Sequence, residues 1–225
     1  MKPVRLLALT LLCWATPGLG AMELPLASGR VDIPVSSIKG LRFAATVRQQ
    51  FDFSCGSAAI ATLLTHHYGR AVTEKQVFEQ MYLHGDQAKI RKEGFSMLDM
   101  QRFLASLGYR ADGFELPLQT TVNAQIPAIV LVAEKGYQHF IVVKGGTAER
   151  ILIGDPAGGT RAMPRSQFEA IWRNKLLFVI HGKEHRAAFN RLEDWRTAPH
   201  FPLAEALSRD GIAGLSLSKL GPGDF

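Results

Sequence analysis

The character of the sequence changes near residue 110, and this change constrains the fold more than any other feature. Three segments before it have the composition and stop signals of helices: 57–68, a short segment opened by Thr73 and Glu74, and 97–107. Short β-branched runs separated by turn residues come after it, at 128–134, 139–145, 151–155 and 176–182, with a helix candidate at 166–172. Helices followed by antiparallel strands predict an α+β fold rather than alternating βαβ units.

Local signals mark where these helices begin and end. Ser96, with Asp99 three positions later, resembles a capping box at the start of the third helix. Gly69 and Gly108 follow helical segments as stop signals.

Size and charge exclude few classes of protein but favour a simple organisation. The 225 residues, 47% of them hydrophobic, can bury a substantial core, most simply as one domain with tails. The net charge of +6 is carried by scattered Lys and Arg, without a run of four or more. A solvated basic surface is therefore favoured over a nucleic-acid or lipid site, and we expect no nucleic-acid partner.

The N-terminus has the layout of a secretory signal peptide. Lys2 and Arg5 precede an apolar run, and small residues follow around Gly20 and Ala21. The run is too short for a comfortable membrane span, although a retained anchor is an alternative. We expect a signal peptide over 1–21 and a periplasmic protein, with an extended lead-in at 22–42.

Removal of the signal would leave Cys55 as the only cysteine, so no internal disulfide could form. A single thiol in an exported chain is a buried filler, an intermolecular linker or a reactive group. The predicted helix begins at Cys55, Gly56 and Ser57, where the helix dipole lowers a thiol pKa. The small neighbours do not suit the filler, which would have larger apolar ones.

A reactive thiol needs a histidine, and the chain has seven candidates: His66, His67, His84, His139, His181, His185 and His200. The first two lie a helix length from the cysteine on its own helix and are interpreted as helix-end caps, with weak metal binding as a poor second. His84 is assigned to a Gly-Asp loop. His139 differs because it opens an apolar strand after a turn, although a lone strand histidine is most often structural.

Asp155 ends the strand that follows His139. In an antiparallel hairpin the start of one strand lies beside the end of the next, so the two side chains are expected to be close. A carboxylate there would hold the imidazole in one tautomer. The alternative is an ordinary turn aspartate before proline. Gln49 and Gln50 are both available as a second oxyanion donor beside the N–H of Cys55.

The spacing of these residues resembles the C39 family of cysteine peptidases. Gln49 stands six positions before Cys55, and Asp155 follows His139 by sixteen. The resemblance covers about 43–182 and implies a papain-like fold, with N-terminal helices packed on an antiparallel sheet. It implies Cys55 as nucleophile, His139 as base and acid, Asp155 as orienter and Gln49 as oxyanion donor, with no cofactor and no metal.

The sequence departs from the C39 family pattern in two ways. Ser54 precedes the cysteine where the family usually has an acidic residue, and Asp52 is out of register. The chain also lacks the GxxxxGK[ST] phosphate loop of the family's ABC exporters, so no ATP binding by that motif is expected. An exported, free-standing form resembles the C39-like peptidases of bacterial functional-amyloid (Fap) secretion systems.

This resemblance implies an endopeptidase acting on an exported polypeptide, such as an amyloid subunit or a secretion component, with possible association with outer-membrane secretion machinery. A non-catalytic peptide-binding module, which holds an extended segment by strand pairing, is the alternative. An acyltransferase or amidase using the same three groups is a third reading. Residues 183–225 are expected to form a C-terminal extension, flexible towards its end.

Overall fold

A computed structural model describes residues 21–26, 29–34, 37–51, 53–134, 136–173 and 175–198. The chain divides into two compact units, 1–37 and 38–225. The predicted signal peptide lies outside the described residues except for Ala21, and so does everything after residue 198. Within the part that is described, no helix has both the length and the apolarity to cross a membrane. The predicted domain boundaries stay predictions.

The first unit contains one antiparallel hairpin. Strand β1 (Ala21–Leu26) pairs with β2 (Gly29–Pro34) along its whole length. The hairpin falls in the segment expected to be an extended lead-in.

The second unit combines eight helices with a six-stranded sheet among its described residues. The helices are α1 (Ile38–Arg42), α2 (Cys55–Thr62), α3 (Glu74–His84), α4 (Gln87–Glu93), α5 (Met97–Ser106), α6 (Leu118–Ala124), α7 (Arg165–Ile171) and α8 (Leu192–Thr197). The strands are β3 (Arg110–Glu115), β4 (Ala128–Glu134), β5 (Tyr137–Gly146), β6 (Arg150–Asp155), β7 (Gly159–Pro164) and β8 (Leu176–His181). The spatial order is β3-β8-β4-β5-β6-β7 and every pairing is antiparallel. The predicted α+β class is confirmed.

The sheet is covered on both faces, which explains why its central strands are apolar without alternation. On one face, Ile129 and Val142 join the core built by α2, α3 and α5. On the other face, Val130 and Val143 pack with Phe168 of α7. Since successive residues of a strand point to opposite faces, both sets must be apolar.

Helix α2 runs through the middle of the first core. All eight of its residues are buried, and it packs against α3 and β5. It continues into a π-helical turn, Leu63–His67. The small side chains of this helix allow neighbours to approach closely. A helix with no exposed side is typical of a central core element.

The predicted start and stop signals are largely confirmed. Ser96 and Asp99 form a capping box at α5, and Thr73 forms another with Gln76 at α3. Gly69 and Gly108 have positive φ values of 67° and 78° after the helical segments, a conformation that favours glycine.

Two histidine assignments were wrong. His84 is not in a loop but is the last residue of α3. Its ring nitrogen Nδ1 lies 2.8 Å from the carbonyl oxygen of Gln80. His67 ends the π-helical turn, but its side chain does not cap it: the ring is buried, with Nδ1 2.6 Å from the carbonyl oxygen of Ala188. Burial lowers the pKa of His67 to about 3, so its imidazole is neutral.

Candidate active site

Cys55 is the first residue of α2, and it is buried in the wall of a cleft. The backbone before it turns sharply: Phe53 has a φ of 54°, and the Ser54 hydroxyl donates to the carbonyl of Phe51 at 2.7 Å. Gly56 makes room for the Phe95 side chain, whose Cβ would lie 3.1 Å from a methyl group at that position. The space beside the Gly56 backbone is therefore occupied by a side chain.

Burial raises the pKa of the Cys55 thiol, and the charge of Asp155 acts in the same direction. Backbone N–H groups of Phe140, Gly56 and Cys55 itself donate hydrogen bonds that favour the thiolate, but they do not outweigh desolvation. The expectation that Cys55 has a lowered pKa because it lies at a helix start is therefore wrong. The reason is that the sulfur lies beneath the surface, where the charged form loses its hydration.

His139 and Asp155 are brought together as the hairpin geometry predicts. His139 is the third residue of β5 and Asp155 the last of β6, and their atoms Nε2 and Oδ2 are 3.4 Å apart. Both side chains are buried. The other ring nitrogen of His139, Nδ1, is buried and has no hydrogen-bond partner among the described residues. One nitrogen is thus committed to Asp155 and the other is left for a different group.

Asp155 is held as a carboxylate by several donors. Its Oδ1 accepts hydrogen bonds from the N–H groups of Ala157 and Gly158, at 2.8 and 3.2 Å, and Arg161 approaches Oδ2 at 3.3 Å. Burial opposes ionisation, but the hydrogen bond and charge of His139, the Ala157 N–H and Arg161 outweigh it and lower the pKa of Asp155 to about 2. A carboxylate that is ionised at neutral pH therefore faces the imidazole.

The segment 45–50, which we call the glutamine arm, carries Gln49 to the same place. The N–H of Gln49 donates to the carbonyl of Pro156 at 3.1 Å, directly after Asp155. Earlier in the arm, the N–H of Val47 donates to the hydroxyl of Thr62 on α2 at 2.9 Å. The arm is therefore fastened both to the hairpin that carries Asp155 and to the helix that carries Cys55.

Gln49, Cys55 and His139 line one cleft of about 540 Å³. Its apolar wall is formed by Phe53, Phe95, Leu131 and Phe140, and its rim includes Arg91, Lys92 and Tyr137. Gln50 is exposed and is not among the residues lining the cleft. The structure thus brings all four predicted site residues together and separates the two glutamines that the sequence left as alternatives.

Sequence reasoning missed three side chains around the site. The Tyr137 ring stacks on the His139 ring, with centroids 5.7 Å apart. Arg161 bridges Asp155 and Glu134, 2.8 Å from the latter. An aromatic residue two positions before His139 is a usable signal in the sequence, whereas the approach of Arg161 depends on the register of β6 and β7.

Among the described residues no cluster of His, Cys, Asp or Glu side chains could hold a metal ion. The cleft is lined by a thiol, a side-chain amide and an imidazole, and the imidazole is paired with an ionised carboxylate behind it. These are the groups that thiol-dependent acyl transfer uses.

The model of the Peptidase C39 family matches residues 44–184. This chain belongs to the C39 peptidase family. The probable functional amyloid protease FapD of Pseudomonas fluorescens is 42% identical over 154 residues, which are 68% of each chain. Its namesake from Pseudomonas aeruginosa is 41% identical over 165 residues, covering 73% of this chain and 72% of that one.

A solved C39 structure has the same fold. The peptidase domain of Streptococcus ComA, a bi-functional ABC transporter involved in a quorum-sensing pathway, superposes with a TM-score of 0.50 at 24% identity, over 60% of this chain and 96% of that domain. The predicted papain-like C39 fold and the resemblance itself are therefore confirmed. The chain is a cysteine peptidase.

Proposed function

We propose that this C39 peptidase is an exported endopeptidase that cleaves polypeptides of a functional-amyloid secretion or assembly system, with Cys55 as its nucleophile. The observation that carries the proposal is the shared cleft: Cys55, His139 and Gln49 line it together, and His139 is paired with a buried Asp155. Three separate segments supply the groups that line the cleft and a fourth supplies Asp155, an arrangement that a buried filler cysteine would not require.

Acylation begins with proton transfer from the Cys55 sulfur to Nδ1 of His139, the ring nitrogen without another partner. The thiolate attacks the carbonyl carbon of the scissile peptide bond, and the carbonyl electron pair moves to oxygen. The raised thiol pKa means that the transfer requires His139 as base, since burial disfavours a free-standing thiolate. Asp155 stabilises the resulting imidazolium through Nε2.

The oxyanion of the tetrahedral intermediate is stabilised by the N–H of Cys55, at the first position of α2, and by the side-chain amide of Gln49. When the intermediate collapses, the C–N bond breaks and His139 returns its proton to the leaving amine. Water, deprotonated by His139, then attacks the thioester and releases the acid. The enzyme ends with its thiol protonated, so the cycle is balanced.

The proposed substrate and the proposed location are supported by different observations. Two relatives above 40% identity bear the name of a functional amyloid protease. The signal-like N-terminus supports export to the periplasm, although it lies outside the described residues. We therefore propose an exported amyloid subunit or secretion component as substrate, with association with outer-membrane secretion machinery.

The experiment is a comparison of new protein N-termini in the exported fraction of cells producing the wild type or Cys55→Ala. We expect at least one N-terminus, in a protein produced with the amyloid system, to vanish in Cys55→Ala. His139→Ala should abolish the same one, while Lys75→Ala, which changes an exposed α3 residue, should retain it. Identical N-termini in wild type and Cys55→Ala would refute the proteolytic role.

A further inference from the structure

Lys144 is a fully buried lysine in the middle of the sheet. It lies on β5, five residues after His139, and its side chain has no exposed surface. Its ammonium donates to the carbonyl of Ala45 at 2.7 Å and to the hydroxyl of Thr160 at 3.4 Å, and it lies 3.2 Å from Oδ1 of Asp194. A buried ammonium destabilises the fold unless it is paired and hydrogen-bonded, so Lys144 depends on these three partners.

The partners of Lys144 come from three segments that are distant in sequence. Ala45 begins the glutamine arm, Thr160 lies on β7, and Asp194 lies on α8. Thr160 also joins the arm, since its hydroxyl is 2.8 Å from the buried hydroxyl of Thr46. The ammonium and this pair of hydroxyls therefore hold the beginning of the arm that ends at Gln49.

The strand beside Lys144 leaves space for this arrangement. A methyl group at Gly154 of β6 would lie 2.9 Å from Cδ of Lys144 and 2.9 Å from the hydroxyl oxygen of Thr46. Both distances are too short for a real contact. Gly154 directly precedes Asp155, so the same strand end positions the carboxylate and accommodates the buried lysine and the arm.

The C-terminal segment 188–198 packs on β5, the strand that carries Lys144. The N–H of Asn190 donates to the carbonyl of Lys144 at 3.0 Å, and its side-chain oxygen accepts from the N–H of Gly146 at 2.8 Å. Asp194 then reaches the ammonium from α8. This segment lies after residue 184, where the match to the family model ends. The family domain therefore receives the counter-ion of its buried lysine from outside its own boundaries.

We propose that Lys144 and Asp194 are positioning residues for catalysis, which hold the glutamine arm so that the Gln49 amide meets the oxyanion. The C-terminal segment is then part of the catalytic unit rather than a tail. This inference rests on the proposed role of Gln49 in the peptidase. A positioning role differs from a purely structural role in one measurable way. Loss of the Lys144 ammonium should lower kcat only when Gln49 is present.

A double-mutant cycle tests this difference. The substrate is a quenched-fluorescence peptide that copies the cleavage site lost in Cys55→Ala cells. We expect Lys144→Met to lower kcat about tenfold or more with little change in KM, because one transition-state donor is misplaced. In a Gln49→Ala background the same change should cost less than about twofold. Equal losses in both backgrounds, or no loss in the wild-type background, would overturn the proposal.

Alkylation of Cys55 by iodoacetamide is the second readout, since it needs the thiol but no oxyanion donor. Its rate in Lys144→Met should stay within about twofold of the wild-type rate, whereas general loosening of the site would change it together with kcat. Asp194→Asn, which keeps an oxygen near the ammonium, should retain more activity than Asp194→Ala. Equal activities of these two variants would count against the positioning role of Asp194.

If Lys144→Met does not fold, Thr46→Val gives a milder version of the test. This near-isosteric change removes only the hydroxyl bonded to Thr160, and it should lower kcat in the wild type by about threefold or more but not in Gln49→Ala. Thr121→Val is the matched control, because it removes another buried threonine hydroxyl, on α6, and should leave kcat unchanged. Equal kcat values for Thr46→Val and Thr121→Val would overturn the proposal.

The peptidase activity and the positioning role of Lys144 can be refuted separately. If Gln49→Ala keeps full activity while Cys55→Ala has none, the oxyanion role of Gln49 and this inference fall, but the peptidase stands. If Cys55→Ala cleaves as well as the wild type, the proposed function itself is refuted.

Discussion

Nε2 of His139 lies 3.4 Å from Oδ2 of Asp155, where the end of β6 meets the start of β5. Both side chains are buried, and the carboxylate is also held by two backbone N–H groups and by Arg161. This pairing leaves Nδ1 as the ring nitrogen of His139 without a hydrogen-bond partner among the described residues. It also makes the carboxylate a measurable contributor to stability.

We expect Asp155 to stabilise the fold at neutral pH and to lose this effect in acid. Its pKa is lowered from 3.8 to about 2, so the stabilisation is present above pH 3.8 and is lost as the pH falls towards 2. The lowering corresponds to about 2 kcal/mol of unfolding free energy. Urea unfolding at a series of pH values should show a smaller acid loss for Asp155→Asn than for the wild type. Parallel curves for the two proteins would contradict the prediction.

Gln49→Ala should reduce kcat by about 10²- to 10³-fold with little change in KM, because one oxyanion donor is removed. The matched control is Gln50→Ala, which truncates the neighbouring exposed glutamine and should leave kcat nearly unchanged. Steady-state kinetics on a cleaved peptide provides the measurement. Similar losses of kcat in the two variants would contradict the oxyanion role of Gln49.

The reaction of Cys55 with iodoacetamide should have a pH midpoint above that of an ordinary thiol, about 8.5, because burial raises the thiol pKa. The same chain unfolded in urea supplies the reference, and mass spectrometry of the peptide containing Cys55 gives the rates. A midpoint below that of the unfolded chain would show that an imidazolium at His139 outweighs desolvation.

Gly154→Ala should destabilise the protein by about 1–3 kcal/mol, because the new methyl group would overlap the stem of Lys144 and the hydroxyl of Thr46. Gly113→Ala is a suitable control on the edge strand β3, where the nearest atom would be 3.9 Å away. Urea unfolding of both variants measures the difference. A Gly154→Ala protein as stable as the Gly113→Ala protein would show that a methyl group fits between Lys144 and Thr46, and would contradict the prediction.

The sequence predicted the elements that carry strong patterns. Strand β4 was predicted with its observed limits, because its apolar run is bounded by turn residues and is buried on both faces. The two edge strands, β3 and β7, were missed because RADGFE and GTRAMP contain neither an apolar run nor a regular alternation of apolar and polar residues. Helix α4 was missed although Asp86 caps it through the N–H of Lys89, a signal that the sequence contains.

The site was more predictable from spacing than from local chemistry. The spacing of His139 and Asp155 fits a hairpin, and the hairpin is found. The thiol pKa was predicted in the wrong direction because the depth of Cys55 beneath the surface is not visible in the sequence. Lys144 and Asp194 were missed because their pairing depends on where 188–198 packs, which no local pattern reveals.

The most direct test of the central claim is detection of a covalent acyl-enzyme on Cys55. Purified protein is mixed with a peptide copying the cleavage site, quenched in acid, and digested for mass spectrometry. We predict that the peptide containing Cys55 carries the mass of the acyl fragment, and that the adduct is absent in His139→Ala. Continued cleavage by Cys55→Ala, with no adduct at any time on the wild type, would contradict the account.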